Sequence, residues 1–186
     1  MSSISSVKVE MFQMADVSDE MLASAATLFS SSYGTWGPQA ASKMDSSYKA
    51  GAPIKMSPAY IREQCLPPNT PSIHIRATLL DGSLAGYAFA TTWTYLDRRV
   101  CWITQLCIAR PLRSQGLATK ILRHLRAGNR DHGYGILSSH PHAILAALRA
   151  LGRGIEGGVH LQSVKMRLRG FMDESPVAEA INSAFR

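Results

Sequence analysis

The stretch from Val100 to Gly128 constrains this chain more than any other. An apolar run from Val100 to Ile108 passes into the short basic loop Ala109-Arg110-Pro111-Leu112. Then come Arg113-Ser114-Gln115-Gly116-Leu117-Ala118 and an amphipathic segment. The pattern predicts a strand, a glycine-containing turn and a helix in direct succession. Such a junction is a ready-made anion site, because unpaired backbone N–H groups and the positive end of the helix dipole point the same way. Gly116 and Ala118 carry the least side-chain bulk, which lets the main chain approach a phosphate closely. Arg113 adds a donor fork suited to phosphate oxygens. In the helix, a 3.6-residue period gathers Ala118, Ile121, Leu122 and Leu125 on one face and leaves Lys120, Arg123 and Arg126 on the other. The segment reads as a pyrophosphate cradle whose helix packs on a sheet.

The rest of the chain supplies that sheet. Val7 to Met11 predicts a first strand. Asp16-Val17-Ser18 offers caps to a helix marked by Met21, Leu22, Ala25 and Leu28. From Ser30 to Met56 the periodicity is lost and Ser, Gly and Pro accumulate, so a long loop is expected, holding Tyr33, Trp36 and Tyr48; loops of that length are functional or disordered. Ser57-Pro58 is a helix start, with serine as N-cap and proline at the first helical position, and Pro67-Pro68 ends that helix. Ile73 to Leu80 reads as a strand, Asp81-Gly82 as a hairpin turn and Leu84 to Tyr95 as the return. Leu96-Asp97-Arg98-Arg99 closes a second hairpin into the strand at Val100. A crossover through the helix from Leu117 to Ala127 brings Ile136-Leu137-Ser138 in parallel. Pro141 and His142 open another helix, with Ile144, Leu145, Leu148 and Leu151 apolar and Gly152 and Gly154 at its end. Beyond it, Val159 to Gln162 reads as a short strand. Lys165 to Leu168 reads as a strand or Ser163 to Met172 as a helix, and the apolar pattern does not decide between them.

Leu106-Cys107-Ile108 followed by Arg113-x-x-Gly116-x-Ala118 resembles the acetyl-CoA signature of the GNAT N-acetyltransferases, Arg/Gln-x-x-Gly-x-Gly/Ala. The similarity runs from about Val7 to Gly152. It implies an α/β fold on a mixed, twisted sheet, an antiparallel meander joined to a parallel crossover, with cofactor slipping between two parallel strands that splay apart. It also implies one acetyltransferase-like domain over residues 1–186, with 153–186 as its closing segment.

Composition sets the remaining bounds. The chain has 186 residues, 46% hydrophobic, enough for one full core. No apolar run approaches the length of a membrane span, and Met1 to Ser6 lacks a secretory pattern. Cys65, Cys101 and Cys107 are odd in number and have no metal-ligand spacing, which favours reduced, packed thiols in a cytoplasmic protein and no metal. The formal charge of +7 suits a strongly anionic partner, coenzyme A or nucleic acid. Dispersed basic residues and sparse aromatics argue against a nucleic-acid surface.

The resemblance implies transfer of an acetyl group from acetyl-CoA to a primary amine by direct attack in a ternary complex. Leu106, Cys107 and Ile108 would lie along the pantetheine arm, with a backbone N–H of Cys107 or Ile108 facing the oxyanion. Arg113, Ser114, Gln115, Gly116, Leu117 and Ala118 would hold the pyrophosphate. Lys120 or Arg123 would reach the 3′-phosphate or sit on a solvated face. The family often uses a tyrosine in the helix after the fifth strand as acid; here that stretch is Ala146-Ala147-Leu148. His140 is the substitute candidate for acid or base, because imidazole titrates near neutrality; a helix-start residue satisfied by backbone is the plain alternative. Tyr33, Trp36 and Tyr60 are candidates for the acceptor wall. A non-catalytic CoA-binding module on the same fold is the competing reading, and a basic nucleic-acid-binding protein a more distant one.

Overall fold

The computed structural model describes residues 6–43, 47–128, 133–136, 138, 140–152 and 170–177. Its centre is a five-stranded sheet in the order β1-β2-β3-β4-β5, formed by Lys8–Gln13, Ser72–Thr78, Leu84–Tyr95, Arg98–Ile108 and Gly133–Ile136. The first four strands are antiparallel neighbours and β5 pairs with β4 in parallel. This is the mixed sheet the sequence predicts.

Strand alternation sorts the side chains to two faces. Ile73, Ile75, Ala88 and Ile103 meet α4 (Leu117–Gly128) and α5 (Pro141–Leu151), with Leu117, Ile121, Leu122 and Leu125 closing that layer. Tyr87, Phe89 and Cys107 meet α1 (Asp19–Ser32) and α3 (Pro58–Cys65) through Leu22, Ala25, Phe29 and Ile61. Both of these helices start as expected. Ser18 accepts from Met21 N–H at 3.3 Å, and Ser57 accepts from Tyr60 N–H at 3.1 Å with Pro58 next in the chain. His74 lies among the aromatics of this second face, fully buried and stacked on Phe89 at 4.2 Å.

Three expectations change. The second hairpin turns on two residues, Leu96 (φ 47°) and Asp97 (φ 59°), so β4 begins at Arg98 rather than Val100. The parallel strand is Gly133–Ile136, earlier than Ile136 to Ser138. Its glycines hide it from propensity, yet one is required: the Trp102 ring lies where a Cβ on Gly135 would stand. The stretch from Ser30 to Met56 is partly regular, since α1 continues to Ser32 and α2 spans Ala40–Lys43. Thr35 and Pro53 form a bridge, and paired main-chain bonds run from Trp36 N–H to Ala52 O and from Ile54 N–H to Gly34 O.

The predicted strand Val159 to Gln162, the predicted strand Lys165 to Leu168 and most of the alternative helix Ser163 to Met172 lie outside the described residues. Residues 170–173 are helical, and Phe171 packs on Trp93 and Tyr95 with ring centroids 5.0 and 5.2 Å apart. Among the described residues, no helix is long and apolar enough to cross a membrane, and no group of three or more His, Cys, Asp or Glu is placed to hold a metal.

Candidate active site

The site begins where β4 loses one of its neighbours. Among the described residues β5 pairs with β4 from Val100 to Ile103, whereas β3 follows β4 to Ile108. The departure coincides with a bulge: Phe89 faces Gln105 and Ala90 faces Ile103, so Thr104 is the extra residue. Beyond it, Ala109 N–H bonds to Ala85 O at 2.9 Å, which turns the backbone of the odd-numbered residues towards β3. Leu106 and Ile108 therefore direct their main-chain groups to the open edge. Cys107 directs its own to Tyr87, so of the two amides expected to face an oxyanion, only that of Ile108 points into the gap.

After β4 the chain makes a 3-10 turn, Arg110–Leu112, and Arg113 N–H bonds back to Arg110 O at 3.3 Å. The next inward bond comes at Lys120, whose N–H donates to Gly116 O at 3.0 Å. Between them, the amides of Ser114, Gln115, Gly116, Leu117 and Ala118 find no protein acceptor among the described residues. Ser114 (φ 59°) and Gly116 (φ 88°) both sit in the left-handed region, which bends successive amides towards one concavity. A Cβ on Gly116 would project into open space, with nothing within 4 Å. Glycine is thus required by backbone conformation and by the mouth of the cradle, not by neighbouring atoms. Gln115 Nε2 donates to Pro111 O at 2.8 Å and closes the loop on itself. Leu117 is buried in the core beneath, so the main chain at 117 is what it offers to the outside.

Two basic side chains differ from expectation. Arg113 does not project freely as a phosphate fork: its Nε donates to Ile108 O at 3.2 Å and its Nη2 to Ser32 O. It clamps the end of α1 to the end of β4, and it takes up one open-edge carbonyl. Lys120 Nζ donates to Val7 O at 2.8 Å, which ties α4 to the residue before β1. Arg123 is exposed on the expected face.

On the opposite side of the gap, Tyr87 Oη donates to Gln105 Oε1 at 2.7 Å, and Gln105 Nε2 reaches Met56 Sδ at 3.2 Å. Burial raises the Tyr87 phenol well above its ordinary range, so it stays a neutral donor. Sequence reasoning missed this pair, because nothing in the spacing of a tyrosine and a glutamine 18 residues apart marks them before the β3–β4 register is known. Cys107 is buried and its thiol is pushed up to about 12, chiefly by burial, which removes it as a nucleophile.

The three expected wall aromatics have separate partners. Tyr33 stacks on Phe29 at 4.1 Å and is half exposed; Trp36 faces Tyr48 at 4.5 Å; Tyr60 is exposed on the first turn of α3. No ring contact joins them among the described residues. His140 caps α5, its Nδ1 accepting from His142 N–H at 3.3 Å while its own N–H donates to Ser138 Oγ at 3.1 Å. The backbone-satisfied alternative accounts for that nitrogen.

Among the described residues, the site thus combines a mixed sheet of five strands, a β4 edge beyond its pairing with β5 and a helix that opens at free amides. The model of the acetyltransferase (GNAT) family matches residues 40–151. That is more than half of the chain, and the chain belongs to this family. No curated protein sequence matches it. Among solved structures it is similar to an aminoglycoside acetyltransferase from an uncultured soil metagenomic sample, in complex with trehalose; identity is 15%, coverage 84% of this chain and 94% of that one, TM-score 0.52. It is also similar to a ribosomal-protein-alanine N-acetyltransferase from Brucella melitensis biovar Abortus 2308, at 12% identity, 83% and 96% coverage and TM-score 0.51. A glucosamine N-acetyltransferase region of a fungal multi-domain beta-N-acetylglucosaminidase matches at 13% identity, over 73% of this chain and 14% of that one, TM-score 0.51. At these identities the likeness is one of fold.

Proposed function

We propose that this protein transfers an acetyl group from acetyl-CoA to a primary amine, by direct attack of the amine on the thioester. The observation that carries the reading is the run of unbonded amides from Ser114 to Ala118 at the opening of α4, next to a strand edge that has no partner beyond Ile103 among the described residues. Amides turned towards one concavity at a helix N-terminus suit a pyrophosphate. An open strand edge suits the amide groups of a pantetheine arm, which can extend β4 as a further strand would. Leu106 and Ile108 are the residues whose main chain faces that arm, and the Ile108 N–H is the donor nearest in kind to an oxyanion stabiliser. Arg113 acts here as a positioning residue for the loop.

The reaction needs the amine deprotonated. Its nitrogen then bonds to the thioester carbon, the C–S bond breaks, and the proton that the attacking nitrogen sheds passes to the departing thiolate. No carboxylate lies on β4 and no tyrosine on α5, so His140 through Nε2, or water, is the candidate proton carrier. The same two absences favour the competing reading, a CoA-binding module without turnover. Calorimetry with acetyl-CoA combined with CoA release across a panel of amines separates them. Binding with release on at least one amine is expected; binding with none supports the module, and no binding refutes both. Under the first outcome, His140→Ala should shift or flatten one limb of the pH–rate profile, and an unchanged profile would assign the proton to water. The acceptors named for the fold neighbours differ in chemistry from one another, so the acceptor is set by the loops over the sheet and not by the sheet.

A further inference from the structure

The segment between α1 and α3 holds a depression that the cradle does not explain. Its volume is about 270 Å³, near the lower end of small-molecule sites. Trp36 and Tyr48 form its apolar wall, with centroids 4.5 Å apart and planes tilted 53°; Ala52 and Pro53 line it, and Lys49 and Lys55 complete it. No carboxylate lines it among the described residues. The whole stretch from Tyr33 to Ser57 carries Lys43, Lys49 and Lys55 against Asp45 alone.

Main-chain bonds keep this wall in shape. Trp36 N–H donates to Ala52 O and Gly51 N–H to Trp36 O, both at 2.9 Å, while Ala52 N–H donates to Lys49 O at 3.0 Å. The ring of Trp36 and the two lysines therefore belong to one braced ribbon. That ribbon ends against β4: Lys55 directly precedes Met56, whose sulfur receives Gln105 Nε2 from the residue after the bulged Thr104. Its other end leaves α1 beside Ser32, the residue clamped by Arg113.

We infer that this depression receives the far end of the acceptor, and that the acceptor is an amine bearing an anionic group, a carboxylate or a phosphate, beside a flat or apolar portion. The inference rests on the acetyltransferase reading above. With Lys49 and Lys55 among its lining residues and no lining carboxylate among the described ones, the depression attracts an anion and repels a polycation, and like charges across a binding surface disfavour the wrong partner. The aromatic pair supplies area for the apolar portion at low entropic cost.

The test uses amines that share one reacting group. Benzylamine, 4-(aminomethyl)benzamide, 4-(aminomethyl)benzoate and 4-(aminomethyl)phenyl phosphate differ in the distal group, and spermidine is the polycationic arm. CoA release is followed on the full chain with saturating acetyl-CoA. An exposed charge pair contributes a few-fold in binding, so two lysines should give the anionic amines a kcat/KM advantage of about 3- to 30-fold over the neutral amide. The advantage should appear in KM and shrink with added salt. In Lys49→Met/Lys55→Met it should fall towards one, while Lys49→Arg/Lys55→Arg retains it. The benzoate and the phosphate compared with each other identify which anion the site prefers. Equal kcat/KM for neutral and anionic amines, or preference for spermidine, overturns the inference while leaving the enzyme assignment intact. If no amine is turned over, calorimetry of the same compounds decides. Tighter binding of the anionic pair that the Met variants abolish upholds the depression as an anion site and removes the enzyme reading, and no discrimination in binding overturns the inference.

Discussion

Gly116 offers the sharpest test of the cradle, because the structure separates its two duties. At φ 88° an L-residue is strained, and such a conformation costs about 1–2 kcal/mol. Around the missing Cβ there is no protein atom within 4 Å, so a substitution there creates no internal clash. Gly116→Ala should therefore remain folded, with Tm lowered by roughly 2–8 °C for a chain of this size. Asparagine tolerates positive φ far better than alanine, so Gly116→Asn should recover much of that loss.

Ligand binding should not follow the same order. Either side chain projects into the mouth where a diphosphate must approach the amides. Displacing even one charge-assisted bond of that kind costs about 1.5–3 kcal/mol, which is about a 10- to 100-fold weaker Kd for acetyl-CoA. The assay is thermal melting of the ligand-free protein alongside calorimetry with acetyl-CoA. Asparagine should rescue stability and not affinity. If Gly116→Asn binds acetyl-CoA within twofold of the parent chain, glycine serves the backbone turn alone and residues 113–118 are not the phosphate site.

Other perturbations follow from the same contacts. Arg113→Ala removes the donors to Ile108 O and Ser32 O, so it should lower stability by about 1–2 kcal/mol and weaken CoA and pantetheine alike; a loss confined to the pyrophosphate-bearing ligand would restore the phosphate-fork role. His74 is buried with neither ring nitrogen bonded, and desolvation, then Arg76, pushes its pKa from 6.5 down to about 3. The fold thus prefers the neutral ring: its contribution is complete above pH 6.5 and is lost at up to about 1.4 kcal/mol per unit as the pH falls towards 3. Urea titrations of His74→Phe should show a flatter acid limb, and parallel curves would mean that other groups set it. In the second hairpin, Leu96 and Asp97 both hold positive φ, which Asn-Gly accommodates at lower cost. Leu96→Asn/Asp97→Gly should raise stability by about 1 kcal/mol in chemical denaturation, whereas a loss would show that the exposed leucine is held by a contact.

What was legible in the sequence is what repeats locally. Strand β3 keeps the bounds expected of it, Leu84–Tyr95, and α4 starts where the glycine turn ends, because turn residues and helical period act over a few residues. Strand β5 was displaced because Gly133 and Gly135 have no strand propensity; Gly135 is there for the Trp102 ring, a contact with a strand more than 30 residues away. The hydrogen bonds of Arg113 are hidden from the sequence for a related reason. A guanidinium next to a glycine turn looks like a phosphate ligand, and only the fold brings Ser32 O within its reach. The segment between α1 and α3 was unreadable as structure because its bonds are ribbon pairs between residues 15 to 20 positions apart, with neither helical nor strand period.

These differences bear on how such a site tolerates change. The amides from Ser114 to Ala118 are main-chain groups, so on the proposed reading any sequence that keeps the turn would keep the site, and the signature can be as sparse as one arginine, one glycine and one small residue. Side chains that move protons are not fixed by the fold in that way. Holding two reactants together supplies roughly 7–11 kcal/mol, against a factor of 10² to 10⁴ for a positioned acid or base. A chain that lacks a tyrosine on α5 and a carboxylate on β4 forgoes the smaller share and keeps the larger. On this reasoning His140→Ala should keep its acetyl-CoA affinity and retain CoA release above the uncatalysed rate, and complete loss of release with binding intact would show that the proton carrier supplies the larger share.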